Sequence, residues 1–127
     1  MVEKIGQIGS DPVEVSPDTW EMEIDFRRKK EIALFLDYEK GDEDGILISF
    51  FAKDPKVSDE WFTVSVARAG TPIKMVPYVI EMDEDQNPRI ALPTGCKDKH
   101  LKIRVNFIGS SGSPGDLSIG VQFNELI

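Results

Sequence analysis

Cysteine and histidine each occur once, as Cys96 and His100. A single thiol excludes an internal disulfide and every all-cysteine metal cluster. A single histidine leaves few ways to pair a nucleophile with a base. The two stand four apart in TGCKDKH, between Gly95 and the flanking Lys97 and Lys99, and no third orienting group accompanies them. The stretch therefore reads as a polar strand-entry loop with an incidental cysteine, no catalytic residue is assigned, and the chain is not expected to be an enzyme.

Long apolar runs are missing as well. Ile32-Ala33-Leu34-Phe35-Leu36 is far shorter than the roughly 20 residues that span a bilayer, so no transmembrane helix is expected. The first ten residues, MVEKIGQIGS, lack the apolar stretch and small-residue cleavage site of a secretory signal, which points to synthesis in the cytoplasm. Positive charge is scarce: 15 Lys and Arg against 23 Asp and Glu give a formal charge of -8 and a pI near 4.6. Nucleic acid and anionic membrane would be repelled at long range, and neither is expected as a partner.

The acidic loops do not make up for these gaps with a calcium motif. Asp42, Asp44 and Gly45 fit part of the EF-hand spacing, but Lys40 stands where the first Asp belongs and Phe51 where the bidentate Glu belongs. Around Asp83, Asp85 and Asn87, Pro88 replaces the required Gly and Thr94 the Glu. The Gly-rich stretch GSSGSPGD, residues 109–116, lacks the Lys-Ser/Thr ending of a phosphate loop. No metal ligand and no cofactor is expected. Carboxylates converging from separate loops, which local spacing cannot reveal, remain the one route to calcium.

What is present is a foldable chain: 127 residues, 14.2 kDa, 40% hydrophobic and 30% charged, enough for one core and too little for two. Its dominant period is two. Trp20, Met22, Ile24 and Phe26 alternate with Glu21, Glu23, Asp25 and Arg27, as in a half-buried strand. The pattern returns at Leu101–Phe107 and at Leu117–Phe123, and the intervening glycines, serines and proline predict an antiparallel hairpin. A second hairpin is predicted from Ile32–Tyr38 and Ile46–Ala52 around the charged turn EKGDEDG. Trp61–Arg68, Ile73–Met82 and Arg89–Leu92 complete about eight strands, with Pro77 forcing a bulge or an edge. The expected fold is all-β, an antiparallel β-sandwich of jelly-roll-like type, with residues 1–17 as an N-terminal arm or leader and 18–127 as the single domain.

The middle segment is apolar on both faces. If Leu34, Leu36 and Phe50 point into a core, Phe35 and Phe51 point away from it. Two covers are open: the chain's own arm or loops, or a neighbouring subunit. Trp61 and Phe62 are adjacent and face opposite sides of their strand, so one of them is a surface candidate, whereas Trp20 belongs to a core row. Phe35, Phe51, Trp61 and Phe62 are thus the candidate interaction surface. Stacking of exposed aromatics on sugar is the alternative use, which with the loop carboxylates makes a carbohydrate- or calcium-binding module the second reading.

IALFLDYEKGDEDGILISFFAKD followed by EWFTVSV resembles a recurring element of small β-sandwich structural proteins of tailed phages and related viruses. In that element an apolar strand ends in D-Y-x-K-G-D-E, an alternating strand follows, and a Trp-aromatic pair opens the next. Here the matching residues are Asp37, Tyr38, Lys40, Gly41, Asp42, Glu43, Trp61 and Phe62. HLKIRVNF and GSSGSPGDLSIGVQF are similar to the closing hairpin of the same proteins, while residues 1–17 and TPIKMVPYVIEMDEDQNP depart from the pattern. The resemblance implies a capsid decoration or head or tail accessory protein of a virion or prophage. Such a protein is made in the host cytoplasm, forms a homo-oligomer, docks on capsid or tail proteins and has no active site.

Overall fold

The computed structural model describes residues 3–6, 12–96, 99–110 and 112–125. The chain is all-β with antiparallel pairing, and the helical content of these residues is a single 3-10 turn at Thr94–Cys96. The strands are β1 (Glu3–Gly6), β2 (Val13–Ser16), β3 (Thr19–Asp25), β4 (Lys29–Glu39), β5 (Gly45–Lys53), β6 (Phe62–Thr63), β7 (Ser65–Arg68), β8 (Lys74–Pro77), β9 (Val79–Met82), β10 (Arg89–Ala91), β11 (His100–Ile108) and β12 (Asp116–Glu125).

One sheet has the order β1-β12-β4-β10, and the other β2-β3-β11-β5-β6, with β9 also paired to β5. β7 and β8 form a separate two-stranded ribbon. Within the segment expected to be an arm, β1 lies at the edge of the first sheet against β12, and β2 at the edge of the second against β3.

The two-residue period decides which side of each strand meets the core. Ile32, Leu34, Leu36 and Tyr38 of β4 and Ile119, Val121 and Phe123 of β12 are buried together with Met22 and Ile24 of β3, Ile46, Ile48 and Phe50 of β5, and Leu101, Ile103 and Val105 of β11. The two sheets thus share one core. Each large side chain removed from water there contributes about 1.5–3 kcal/mol, which offsets the ordering of the strands that carry it.

Neither hairpin predicted from the sequence forms. β4 and β5 belong to different sheets, and so do β11 and β12. β4 pairs with β12 along Asp116↔Glu39 to Gln122↔Ala33, and β5 pairs with β11 along Ile108↔Gly45 to His100↔Lys53. The loops at 40–44 and 109–115 are therefore crossovers from one sheet to the other. This arrangement also accounts for the doubly apolar segment: two strands that look like one greasy ribbon each bury a single face, from opposite sides of the core.

Pro77 ends β8 and is followed by a change of partner. β8 pairs with β7 in the ribbon, whereas β9 joins β5 in the sheet. Trp61–Arg68 divides in the same way at Val64, whose N–H donates to the Phe50 carbonyl at 2.9 Å and whose carbonyl accepts from the Tyr78 N–H at 2.8 Å. Tyr78 stacks on Phe50 with ring centroids 5.4 Å apart. Val64 and Tyr78 together root the ribbon in the core.

Candidate functional site

Phe35, Phe51, Trp61 and Phe62 do not make one patch. Phe35 lies on the outer face of the β4 sheet, opposite Gly120 and Arg89 in register, and is 36% exposed. Phe51 lies on the outer face of the β5 sheet, opposite Lys102 and Thr63. The core separates them. Trp61 joins Phe51, because the Lys102 ammonium lies 4.5 Å from the Trp61 ring centroid while Lys102 pairs with Phe51 across the strands. Phe62 pairs with Ala52 at the sheet edge and is 55% exposed.

The cover over these rings comes from cations of adjacent strands. Arg89 sits 5.5 Å from the Phe35 centroid and Arg104 4.7 Å from that of Phe51. Trp61 is bracketed by Lys53 at 4.7 Å and Lys102 at 4.5 Å. Among the described residues, what holds those two ammonium groups is the indole ring rather than a carboxylate. Such contacts contribute about 0.5–1 kcal/mol each at exposed positions, and the long aliphatic stems shield apolar surface while the charge stays in water. Arg104 is further held by Glu21, whose Oε2 accepts from Nε at 2.7 Å. Sequence reasoning missed these cations because Arg104, Glu21 and Phe51 meet only through non-local pairing.

The ribbon leaves apolar side chains in water. Ile73 is 70% exposed and Met75 66%, beside the turn Ala69–Pro72 that links the two strands. Two strands alone are marginal in water, so the ribbon persists through its roots at Val64 and Tyr78. The sequence signal for this element was the interrupted period around Pro77.

At one end of the strands the two crossover loops lock together around Glu43, which is 1% exposed. Its carboxylate accepts from the Tyr38 hydroxyl at 2.9 Å, from Gly41 N–H at 2.7 Å, and from Gly115 N–H at 2.9 and 3.1 Å. Burial pushes the Glu43 carboxyl upward, but hydrogen bonds from its own backbone, Tyr38, Gly115 and Gly41 outweigh burial and hold it below the ordinary carboxylate value. Burial, reinforced by that bond to Glu43, raises the Tyr38 hydroxyl. The neighbouring Asp42 accepts from Ser110 Oγ and from Ser113 N–H, both at 3.1 Å. The backbones approach so closely that a Cβ on Gly115 would strike the Glu39 carbonyl, and one on Gly41 the Ser113 carbonyl.

The other chemical candidates take ordinary structural places. Cys96 is fully buried in the core, and burial pushes its thiol up to about 12, the opposite of what a nucleophilic thiolate needs. His100 opens β11 with Nε2 3.8 Å from the Asp25 carboxylate. A hydrogen bond from the Arg27 guanidinium, opposed by partial burial, brings Asp25 down to about 2. Among the described residues no three His, Cys, Asp or Glu side chains are grouped to hold a metal ion, and no helix is long and apolar enough to cross a membrane. A cleft of about 780 Å³ opens between the sheets beside Trp20, lined on one side by Met22, Ile103 and Val105 and on the other by Leu117 and Ile119.

No protein-family model matches this chain, and no curated protein matches it.

Proposed function

We propose that the chain is a non-enzymatic structural protein of a virion or prophage, a capsid decoration or head or tail accessory, that acts by self-association and docking. The D-Y-x-K-G-D-E run and the strands that flank it supply the likeness to phage structural proteins. In this reading the two-sheet arrangement is a jelly-roll-like sandwich serving as a platform. The observation that carries the proposal is the tip of the β7–β8 ribbon, where Ile73 in the connecting turn and Met75 in β8 remain in water, outside the core. Large apolar side chains that stand exposed close to one another are a usual mark of an association surface.

The test is light scattering of the full chain over a wide concentration range, alongside Ile73→Asp and Met75→Asp. The parent chain is expected to form oligomers, and both variants are expected to shift toward monomer with unchanged melting temperature. A parent chain that stays monomeric at every concentration would count against the proposal. So would variants that assemble as the parent does.

A further inference from the structure

The core shared by the two sheets opens toward the start of β12. Along that strand exposure rises from Val121, which is fully buried, to Ile119 at 8% and then to Leu117, which is half-buried. On the facing sheet Met22 pairs with Ile103 and Trp20 with Val105, and exposure runs the same way: Met22 and Ile103 are buried, whereas Trp20 and Phe107 are half-buried. The sheets differ in width here. The second continues through β3 to β2, but β1 pairs with β12 only from Val121 to Asn124, so among the described residues no strand flanks β12 at Leu117 and Ile119. Side chains that the two-residue period sends inward therefore line the cleft of about 780 Å³.

That volume falls in the range of small-molecule sites, roughly 300–1,000 Å³, and the walls are apolar with a few polar groups at the rim. The charged groups of the rim are of one sign. Glu21 and Asp116 line the cleft, and among the described residues no Lys or Arg does. Arg104 meets the Glu21 carboxylate at 2.7 Å. Asp116 is exposed, and its cross-strand neighbour is another acid, Glu39. The backbone adds acceptors. The Leu36 and Tyr38 N–H groups donate away from β12, to Pro88 and Gln86, so the backbones of Asp116, Ser118 and Gly120 are those that bond to β4, and those of Leu117 and Ile119 face the open side.

We propose that this cleft binds a small apolar amine, its hydrocarbon part held between the sheets against Trp20 and its ammonium group at Asp116. A carboxylate ligand of the same shape would meet Asp116 and Glu39 as like charges, in a chain of net charge -8. An ammonium group instead finds a carboxylate and backbone carbonyls at the rim, with the indole ring of Trp20 beside them. Burial of the hydrocarbon between the sheets supplies the rest of the affinity. The ribbon takes no part, since it is rooted on β5, which β11 separates from β3. Binding is therefore expected of a single copy.

The experiment is a fluorescence titration of the full chain carrying Trp61→Phe, which leaves Trp20 as the one tryptophan. The probes are phenylbutylamine and phenylbutyrate, which share an apolar body and differ in charge. The amine is expected to shift Trp20 emission saturably, and phenylbutyrate to bind at least about fivefold more weakly, the factor that one unit charge at contact distance supplies in water. Leu117→Phe, which adds bulk to the wall from a half-buried position, is expected to weaken the amine at least about tenfold. Asp116→Lys, on the exposed rim, is expected to reverse the preference between the probes. Melting curves check folding, and if Leu117→Phe does not fold, Asp116→Lys carries the test alone. No saturable shift with either probe through the millimolar range would overturn the proposal, as would binding that neither substitution alters. A preference unchanged by Asp116→Lys would overturn the placement of the ammonium group. Saturable binding by a chain that scatters as a monomer would support this site while counting against self-association.

Discussion

The crossover end and the β7–β8 ribbon treat polarity in opposite ways. At the crossover end a carboxylate is buried among backbone donors, and at the ribbon Ile73 and Met75 are held in water. Burying a charge is costly unless its hydrogen bonds are made, and Glu43 makes them to a hydroxyl and to backbone N–H groups of both loops. That expense yields a specific join between two loops that share no local sequence. Among the described residues, β7 and β8 pair only with each other. One region spends its interactions on holding the sheets together, and the other leaves them unspent at the surface.

Removing the acceptor is the most direct way to break the contrast. Glu43→Ala leaves the Tyr38 hydroxyl and the Gly41 and Gly115 N–H groups without their partner, and it is expected to cost about 3 kcal/mol in urea denaturation. Gly115→Ala attacks the same join by steric means, driving a methyl group into the Glu39 carbonyl, with an expected loss of about 2 kcal/mol.

Acid should loosen the join more gently. The folded-state pKa of Glu43 lies below its ordinary value of 4.5, so the stability it contributes is fully present above that value and is lost as pH falls through the folded one. Denaturation of the parent chain and of Glu43→Gln across pH 7 to about 3 is expected to show a difference that holds at neutral pH and shrinks at the acid end. A difference that stayed constant to the lowest pH would contradict the assignment of Glu43 as the ionised centre of the join.

The smallest effect is expected at the ribbon. Ile73→Asp should change stability by less than about 0.5 kcal/mol, since the side chain is 70% exposed and outside the core. A loss comparable to that of Glu43→Ala would show that the ribbon tip packs within its own chain, and the contrast between the two regions would fail.

The alternation in Trp20–Phe26, Leu101–Phe107 and Leu117–Phe123 was enough to locate strands and to say which side of each meets the core, but Trp20, read as part of a core row, is half-buried and lines the cleft instead. It correctly turned Phe35 and Phe51 away from the core. The partners of those strands were not legible. Ile32–Tyr38 and Ile46–Ala52 read as a hairpin because a short charged turn joins them, yet the turn crosses between sheets, and so does the Gly/Ser/Pro loop. Of the candidate surface, strand parity turned Phe35 and Phe51 outward but did not choose between Trp61 and Phe62, of which Phe62 is the exposed one. The cations over the rings could not be read at all: Arg104 reaches Phe51, and Lys53 and Lys102 reach Trp61, across strands distant in sequence.

By itself the sequence determined the strand class, the buried side of each strand and the apolar character of the aromatic positions, because a two-residue period is a local property of the backbone. Only the tertiary structure decided which strands are neighbours and that Glu43 is buried between two crossovers. Those outcomes depend on pairings between segments far apart in the chain, such as Glu3 of β1 with Asn124 of β12, and no local pattern encodes such a pairing.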